Sequence, residues 1–98
     1  MMKTLKGSKK QVQWATELRD TALKILNETL PELEREKNLL AIKKCHTLIE
    51  RISNEESAEH IIGVFYHLEY TDNRLLNIKN LMSKIKMSVT PLKEGLFN

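Results

Sequence analysis

The side chains best suited to metal or nucleophilic chemistry are a single cysteine and three histidines. Cys45 and His46 are adjacent, so on a helix their side chains would point about 100° apart, and His60 and His67 follow at longer intervals. None of these spacings matches the short ligand repeats of zinc sites. No glycine-rich phosphate-binding motif and no local nucleophile–base pattern accompanies them. We therefore expect no metal, no cofactor and no enzymatic activity.

His60 and His67 lie one heptad apart in a predicted helix, on the side opposite its apolar face, with Gly63 between them. Two histidines around a glycine can form a notch that receives a side chain of a partner protein. They can equally be solvated surface residues that are sensitive to pH. Both interpretations stay open, and both histidines are candidate partner-binding residues.

The net charge of +3 is unevenly distributed, because bases exceed acids at both ends of the chain and acids exceed bases in the middle. Phosphate contacts by lysines supply most of the non-specific affinity of proteins for nucleic acids. The sequence shows no basic recognition helix, and its aromatic residues are few. Solvated helix faces with balanced charge explain the same pattern. The candidate polyanion-binding residues are Lys6, Lys9, Lys10, Lys84 and Lys86.

Two helices are predicted in the first half of the chain. Ser8 and Gln11 have the spacing of a capping box, and apolar residues then recur at helical intervals, which predicts a helix over about 9–28. Pro31 is well tolerated in the first turn of a helix and disfavours a helical residue before it, so we expect a second helix over about 31–52. The two apolar stripes are Trp14, Ala15, Leu18, Ala22, Ile25 and Leu26, then Ala41, Ile42, Cys45, Leu48, Ile49 and Ile52.

Two further helices are predicted in the second half. Capping and acidic residues from Ser53 onward favour a helix start, and the apolar spacing predicts a helix over about 55–69. The segment 71–73 interrupts or bends the chain, and a fourth helix extends to about 87. Four amphipathic helices with short connections predict an all-α fold, a small helical bundle. A pair of longer helical hairpins that dimerises would produce the same pattern.

Length and composition restrict the class of protein. A chain of 98 residues suffices for one core, so we expect one helical domain over residues 1–88 and a C-terminal tail over 89–98. The 41% hydrophobic and 30% charged residues are typical of a globular protein rather than a disordered one. No apolar run is long enough to span a membrane, and the first residues lack the apolar segment of a secretory signal. We expect a cytoplasmic protein without membrane contact.

The apolar stripes also predict the interior. The predicted core includes Trp14, Leu18, Ile25, Ile49, Phe65 and Met82. Cys45 lies within the stripe of the second helix, so we expect a buried structural thiol. Arg19 lies at the edge of the first stripe, where its stem can be buried and its guanidinium can pair with an acid from the middle of the chain.

Leu33 and Leu40 lie one heptad apart on the predicted second helix, away from its main stripe, with Lys37 and Lys44 beside them. One exposed leucine needs no explanation. Two stacked leucines suggest a second contact, which is a partner protein, a symmetric copy in a homodimer, or another helix of the same chain. These four residues are candidate partner-binding residues.

Residues 5–19 carry the pattern L-x-G-S-x-K-Q-x-x-W-A-x-x-[IL]-R. This segment resembles one found in small proteins of Gram-positive bacteria and of their phages and mobile elements. The match departs at Lys9, where those proteins more often have an acid, and Phe65-Tyr66 followed by Asn73-Arg74 is a looser echo. The resemblance implies a cellular context and brings no activity.

The sequence therefore predicts a non-enzymatic, helical protein-binding module. The context that the resemblance implies suggests a phage or mobile-element accessory or inhibitor protein, which docks on a host target such as a defence nuclease in the manner of an anti-CRISPR protein. The alternative is a small nucleic-acid-binding regulator that uses its basic ends. A steep fall of DNA affinity with salt would favour that alternative.

Overall fold

The structure, a computed structural model, describes residues 3–87, and for residues 86 and 87 it describes the backbone alone. Its helices are α1 (Lys9–Arg35), α2 (Leu39–Asn54), α3 (Ala58–Phe65) and α4 (Arg74–Met87). The predicted all-α bundle is confirmed: the helices pack around a common cluster of buried apolar side chains. The predicted tail over 89–98 and the side chain of Lys86 lie outside the described residues.

Helix α1 begins at the predicted capping box. The Ser8 hydroxyl accepts the N–H of Gln11 at 3.2 Å, and the Gln11 side chain accepts the N–H of Ser8 at 3.0 Å. Gly7 precedes this cap and passes close to α3. A Cβ built on Gly7 would lie 3.1 Å from the Cβ of Ala58, so the glycine permits the chain to enter α1 against the start of α3.

The predicted restart at Pro31 is wrong, because α1 continues through Pro31 to Arg35. Pro31 removes one backbone donor, yet it is exposed on the outer side of the helix, where water can hydrate the carbonyl that loses its partner. Leu33, on the inner side, packs against the core. The chain turns instead at Lys37, which has a φ of 55°, and Asn38 caps α2 by accepting the N–H of Ala41 at 3.2 Å.

The third helix is shorter than predicted at both ends. Ser57 caps α3 by accepting the N–H of His60 at 3.2 Å, so residues 55–57 precede the helix. The helix ends at Phe65, because Tyr66 has a ψ of 125°, outside the helical range, and His67 has a φ of 62°. The segment 66–73, which we term the α3–α4 connector, leads into α4.

Residues 3–6 form an N-terminal arm that lies along the connection between α2 and α3. Lys3 N–H donates to the carbonyl of Ser53 at 2.8 Å, and Lys6 N–H donates to that of Glu56 at 2.6 Å. Leu5 is buried in the core. The predicted ion pair of Arg19 is wrong: its Nη1 donates to the carbonyl of Lys3 at 2.8 Å, and its buried Nε has no hydrogen-bond partner.

The core prediction holds for most residues and fails for one. Leu18, Ile25 and Phe65 are buried, and Ile49 and Met82 are partly buried against the same cluster. Trp14 is 42% exposed, so its placement in the core is wrong. The remaining fully or nearly fully buried apolar residues include Ala15, Ala22, Leu26, Cys45, Ile52, Ala58, Ile61, Val64, Leu68 and Leu81.

The geometry of α1 explains the exposure of Trp14. At 100° per residue, Trp14 lies about 80° around the helix axis from the fully buried Ala22. The residues of α1 at the centre of its buried face include two alanines, Ala15 and Ala22, which leave room for a neighbouring helix to approach closely. A tryptophan at the margin of such a face extends beyond the helix contact and onto the surface.

Candidate protein-binding surface

Three ring side chains form a partly exposed group that we term the aromatic cluster. The Trp14 and Tyr66 ring centroids lie 5.4 Å apart in an edge-to-face arrangement. The Tyr66 and His67 centroids lie 4.0 Å apart, also edge-to-face. Tyr66 is 43% exposed, close to the value for Trp14. Rings in this geometry hold each other in place, so the cluster presents apolar area that is already ordered.

The chain on either side of the cluster fixes its direction. Phe65 is fully buried and Leu68 is buried, and the Leu68 N–H donates to the Phe65 carbonyl at 2.8 Å. This tight turn leaves Tyr66 and His67 on its outer side. The left-handed backbone of His67 is uncommon for a residue other than glycine. Two buried anchors therefore direct two consecutive rings outward.

An open groove of about 330 Å³ adjoins the cluster at His67. The α3–α4 connector forms one wall, and Asn80, Ser83 and Lys84 of α4 form the other. These three residues share one face of α4, because residues three and four apart on a helix are neighbours. Asn80 and Lys84 are half-buried, whereas His67 is exposed. The other lining residues are Leu68, Glu69 and Thr71.

Asn77 holds the connector against α4. Its side chain is buried, accepts the N–H of Thr71 at 2.8 Å and the hydroxyl of Thr71 at 2.7 Å, and donates to the carbonyl of Thr71 at 2.9 Å. A buried amide with this number of partners is well satisfied. The wall of the groove formed by Thr71 is therefore fixed to the helix that forms the other wall.

Side-chain contacts also attach the connector to α1. The Tyr70 hydroxyl donates to the Glu28 carboxylate, at 2.5 and 2.8 Å from its two oxygens, and the Lys24 ammonium lies 4.0 Å from the Tyr70 ring centroid. The hydrogen bond to Glu28 raises the pKa of Tyr70 above its ordinary value. Arg74 pairs with Glu32 at 3.2 Å. The middle of the connector and the first residue of α4 are therefore held against α1.

The two candidate histidines are not a pair on one helix, contrary to prediction. His60 lies in α3, with its Nδ1 3.4 Å from a Glu55 carboxylate oxygen, whereas His67 lies beyond the end of α3 in the connector. Gly63 is exposed, and nothing lies within 4 Å of a Cβ built there. Because α3 ends at Phe65, the helical spacing that placed both histidines around Gly63 does not apply. Of the two, only His67 belongs to the aromatic cluster.

Leu33 and Leu40 are likewise not stacked on one helix. Leu33 belongs to α1 and packs against the core, while Leu40 belongs to α2 and is 66% exposed. Leu39 is also largely exposed, and the two consecutive leucines form a leucine tip at the start of α2. Lys37 lies in the turn before the tip, and Lys44 is exposed on α2. Dimerisation stays a prediction.

The candidate polyanion-binding lysines have different surroundings. Lys6 lies 3.1 Å from the Glu56 carboxylate, so its charge is already paired. Lys9 and Lys10 are exposed in the first turn of α1. Lys84 lines the groove. The structure therefore leaves Lys9 and Lys10 as the exposed, unpaired part of the described N-terminal lysine group at residues 6–10.

Sequence reasoning missed Tyr66 and the exposure of Trp14. One signal was available: Phe65, Tyr66 and His67 are consecutive rings, and consecutive residues of a helix cannot all face one core. Asn80 was not predicted as a site residue either, because it lines the groove only as a result of the path that the connector takes. The sequence did not reveal that path, since it depends on the hydrogen bonds between Asn77 and Thr71.

Cys45 is buried, as predicted, and its thiol lies 3.5 Å from the Leu26 carbonyl. Burial raises the pKa of this thiol, which disfavours the reactive thiolate. Among residues 3–87, no group of three or more histidine, cysteine, aspartate or glutamate side chains is arranged to hold a metal ion. Within the same residues, no helix combines the length and the apolar character needed to cross a membrane.

Comparisons with known proteins found no relatives. No protein-family model matches the chain, no curated protein matches it, and no solved structure matches it.

Proposed function

We propose that the protein is a non-enzymatic protein-binding module and that the aromatic cluster is its docking surface. The observation that carries this proposal is the position of Trp14: a tryptophan of the α1 apolar stripe lies 42% exposed and in edge-to-face contact with Tyr66. Tryptophan and tyrosine are enriched among the residues that contribute most to the affinity of protein interfaces.

The arrangement of the rings supports this use. Association costs free energy when side chains lose rotamer freedom. Trp14 and Tyr66 are already held by each other and by the turn at Phe65 and Leu68, so a partner would order little more. The cluster also adjoins a polar groove at His67. An apolar centre beside polar groups is the usual composition of a protein interface.

The same contacts disfavour the nucleic-acid alternative at this surface. Single-stranded nucleic acids bind when bases stack on accessible ring faces above a row of basic residues. Tyr66 is contacted by Trp14 and by His67, which restricts access to its ring. Lys6 is paired with Glu56. The exposed Lys9 and Lys10 remain the basis of that alternative, and a salt titration of DNA binding tests it.

The resemblance of residues 5–19 to small phage and mobile-element proteins supports a more specific hypothesis. Under it, the protein is an accessory or inhibitor that docks on a host target such as a defence nuclease. A small rigid domain with a preformed apolar surface suits such a role, because blocking a larger protein requires binding and no chemistry. The target's identity does not affect the test of the surface.

Affinity capture from a host lysate, with three forms of the full chain as bait, tests the proposal. The forms are the unaltered protein, Trp14→Ala and the control Leu75→Ala. Leu75 is largely exposed and lines the region around Glu28, which lies about 21 Å further along α1 than Trp14. We expect a protein that the unaltered and Leu75→Ala forms retain and that Trp14→Ala loses.

Hydrogen exchange of the purified complex then locates the contact. We expect protection at the α3–α4 connector and at the first turns of α1. Equal capture by Trp14→Ala, or protection confined to the leucine tip, would show that the aromatic cluster is not the docking surface. Circular dichroism of each variant confirms that it remains folded.

A further inference from the structure

We propose that the groove beside the aromatic cluster binds a carboxylate of an acidic side chain carried by the docked protein. This inference rests on the proposed function, because the aromatic cluster brings the partner's surface to the groove. The two sites are continuous: His67 belongs to the cluster and also lines the groove.

The charge in the groove is the first argument. Lys84 is half-buried, whereas every other lysine among residues 3–85 is exposed. No carboxylate of a described residue forms an ion pair with Lys84, although Lys6, Arg35 and Arg74 each have an acidic partner. A lysine without an ion-pair partner that lines a groove offers its charge to an anion that enters the groove.

The donors near Lys84 are the second argument. Asn80 lies one helical turn before Lys84 on the same face of α4, and its amide can donate to a carboxylate oxygen. His67 faces them from the connector and offers a ring N–H. A lysine, an amide and an imidazole around one volume provide hydrogen bonds to both oxygens of a carboxylate.

The surroundings favour a single carboxylate over a polyphosphate chain. Glu69 lines the groove and is exposed, so it repels a chain of successive negative charges more strongly than it repels one carboxylate. Thr71 is already engaged with Asn77 and offers little to further phosphates. One acidic side chain enters with one charge, and the rest of its chain can contact Trp14 and Tyr66. A partner segment with an acidic residue beside an apolar residue fits both features.

Selection of peptides from a random phage-displayed library tests this inference. The immobilised baits are the full-length unaltered protein, Lys84→Met, Lys79→Met and Trp14→Ala. Lys79 is an exposed lysine of α4 that does not line the groove, so its variant controls for net charge. We expect peptides enriched on the unaltered protein to carry an aspartate or glutamate. Lys79→Met should retain this preference and Lys84→Met should lose it.

A double-mutant cycle with one selected peptide measures the contact. Replacing its acidic residue with the amide should raise the Kd for the unaltered protein about tenfold. The same peptide change should have little effect on Lys84→Met, because the charge partner is already absent. Asn80→Ala should weaken binding of the acidic peptide more than binding of the amide peptide. It is a second, independent variant that tests the same contact.

The possible failures are distinguishable. If Trp14→Ala enriches the same peptides as the unaltered protein, the proposed docking surface is wrong and this inference falls with it. If enrichment depends on Trp14 but shows no acidic preference, only the inference about the groove is overturned. It is also overturned if a single-stranded DNA 20-mer binds the unaltered protein and loses affinity with Lys84→Met, because the groove would then hold a phosphate.

Discussion

At two places in the chain, a residue of the core is directly followed or preceded by an exposed ring of the candidate binding surface. Ala15 and Phe65 are fully buried, whereas the adjacent Trp14 and Tyr66 are both more than two-fifths exposed. In each pair one residue contributes to the core and the next to the aromatic cluster. The comparison teaches that the exposed rings are placed by the core: the buried anchors at Ala15, Phe65 and Leu68 determine where Trp14 and Tyr66 lie.

The largest expected effect on stability comes from a change in the core. Phe65→Ala should lower the free energy of unfolding by about 3–5 kcal/mol, because it removes a fully buried ring and leaves a cavity between α3 and its neighbours. Urea unfolding followed by circular dichroism measures it. A loss below about 1 kcal/mol would mean that Phe65 is not a core anchor.

Asn77→Leu should have the next largest effect, about 2 kcal/mol, because the N–H of the half-buried Thr71 loses its acceptor and the Thr71 carbonyl loses the amide that donates to it. This change should also loosen the α3–α4 connector. Hydrogen exchange should therefore accelerate at residues 67–72 before it changes in α1. Uniform acceleration across the chain would show that Asn77 stabilises the whole fold and does not specifically hold the groove wall.

Trp14→Ala should cost only about 1–2 kcal/mol, since it removes one edge-to-face contact and a partly exposed ring. Trp14→Ala and Phe65→Ala form a matched pair, since one removes a ring from the aromatic cluster and the other removes a ring from the core. Urea unfolding of both variants at one temperature gives the difference. Equal losses would place Trp14 in the core and remove the distinction between the two regions.

The smallest expected effect is at alkaline pH. The hydrogen bond to Glu28 holds the pKa of Tyr70 above its ordinary value. A pKa that is higher in the folded state contributes stability below the unfolded-state pKa, and this contribution is lost as pH rises through the folded-state pKa. Between about pH 8 and about pH 11 the unaltered protein should therefore lose more stability than Tyr70→Phe. Equal losses would mean that the hydrogen bond to Glu28 does not stabilise the fold.

Periodicity and capping predicted much of the fold, and local chemistry explains the failures. The Ser8–Gln11 cap and the stripe through Leu18 and Ile25 depend on near neighbours, so they were readable from the sequence. The predicted restart at Pro31 is wrong because the free-energy cost of a proline inside a helix depends on which side of the helix the proline faces. That side is set by packing, which the spacing of residues alone does not determine.

The candidate surface was less predictable than the fold. Trp14 satisfies the helical period of the core, and its exposure follows from its position at the margin of the contact face of α1. His67 lies outside α3 because the helix ends at Phe65 in a turn that no proline or glycine marks. The prediction that Leu33 and Leu40 share one helix is wrong because the chain turns at Lys37. Asn38 before an apolar run is the helix-start signal that marks this turn in the sequence.

Quenching of tryptophan fluorescence by acrylamide tests the central claim most directly, because Trp14 is the only tryptophan in the chain. In the free protein we predict long-wavelength emission and efficient quenching, as for a ring in contact with water. In the complex with the captured protein, compared at the same quencher concentrations with a target segment free of tryptophan, we predict a shift to shorter wavelength and strong protection. Shielded emission in the free protein, or quenching that the complex leaves unchanged, would contradict the account.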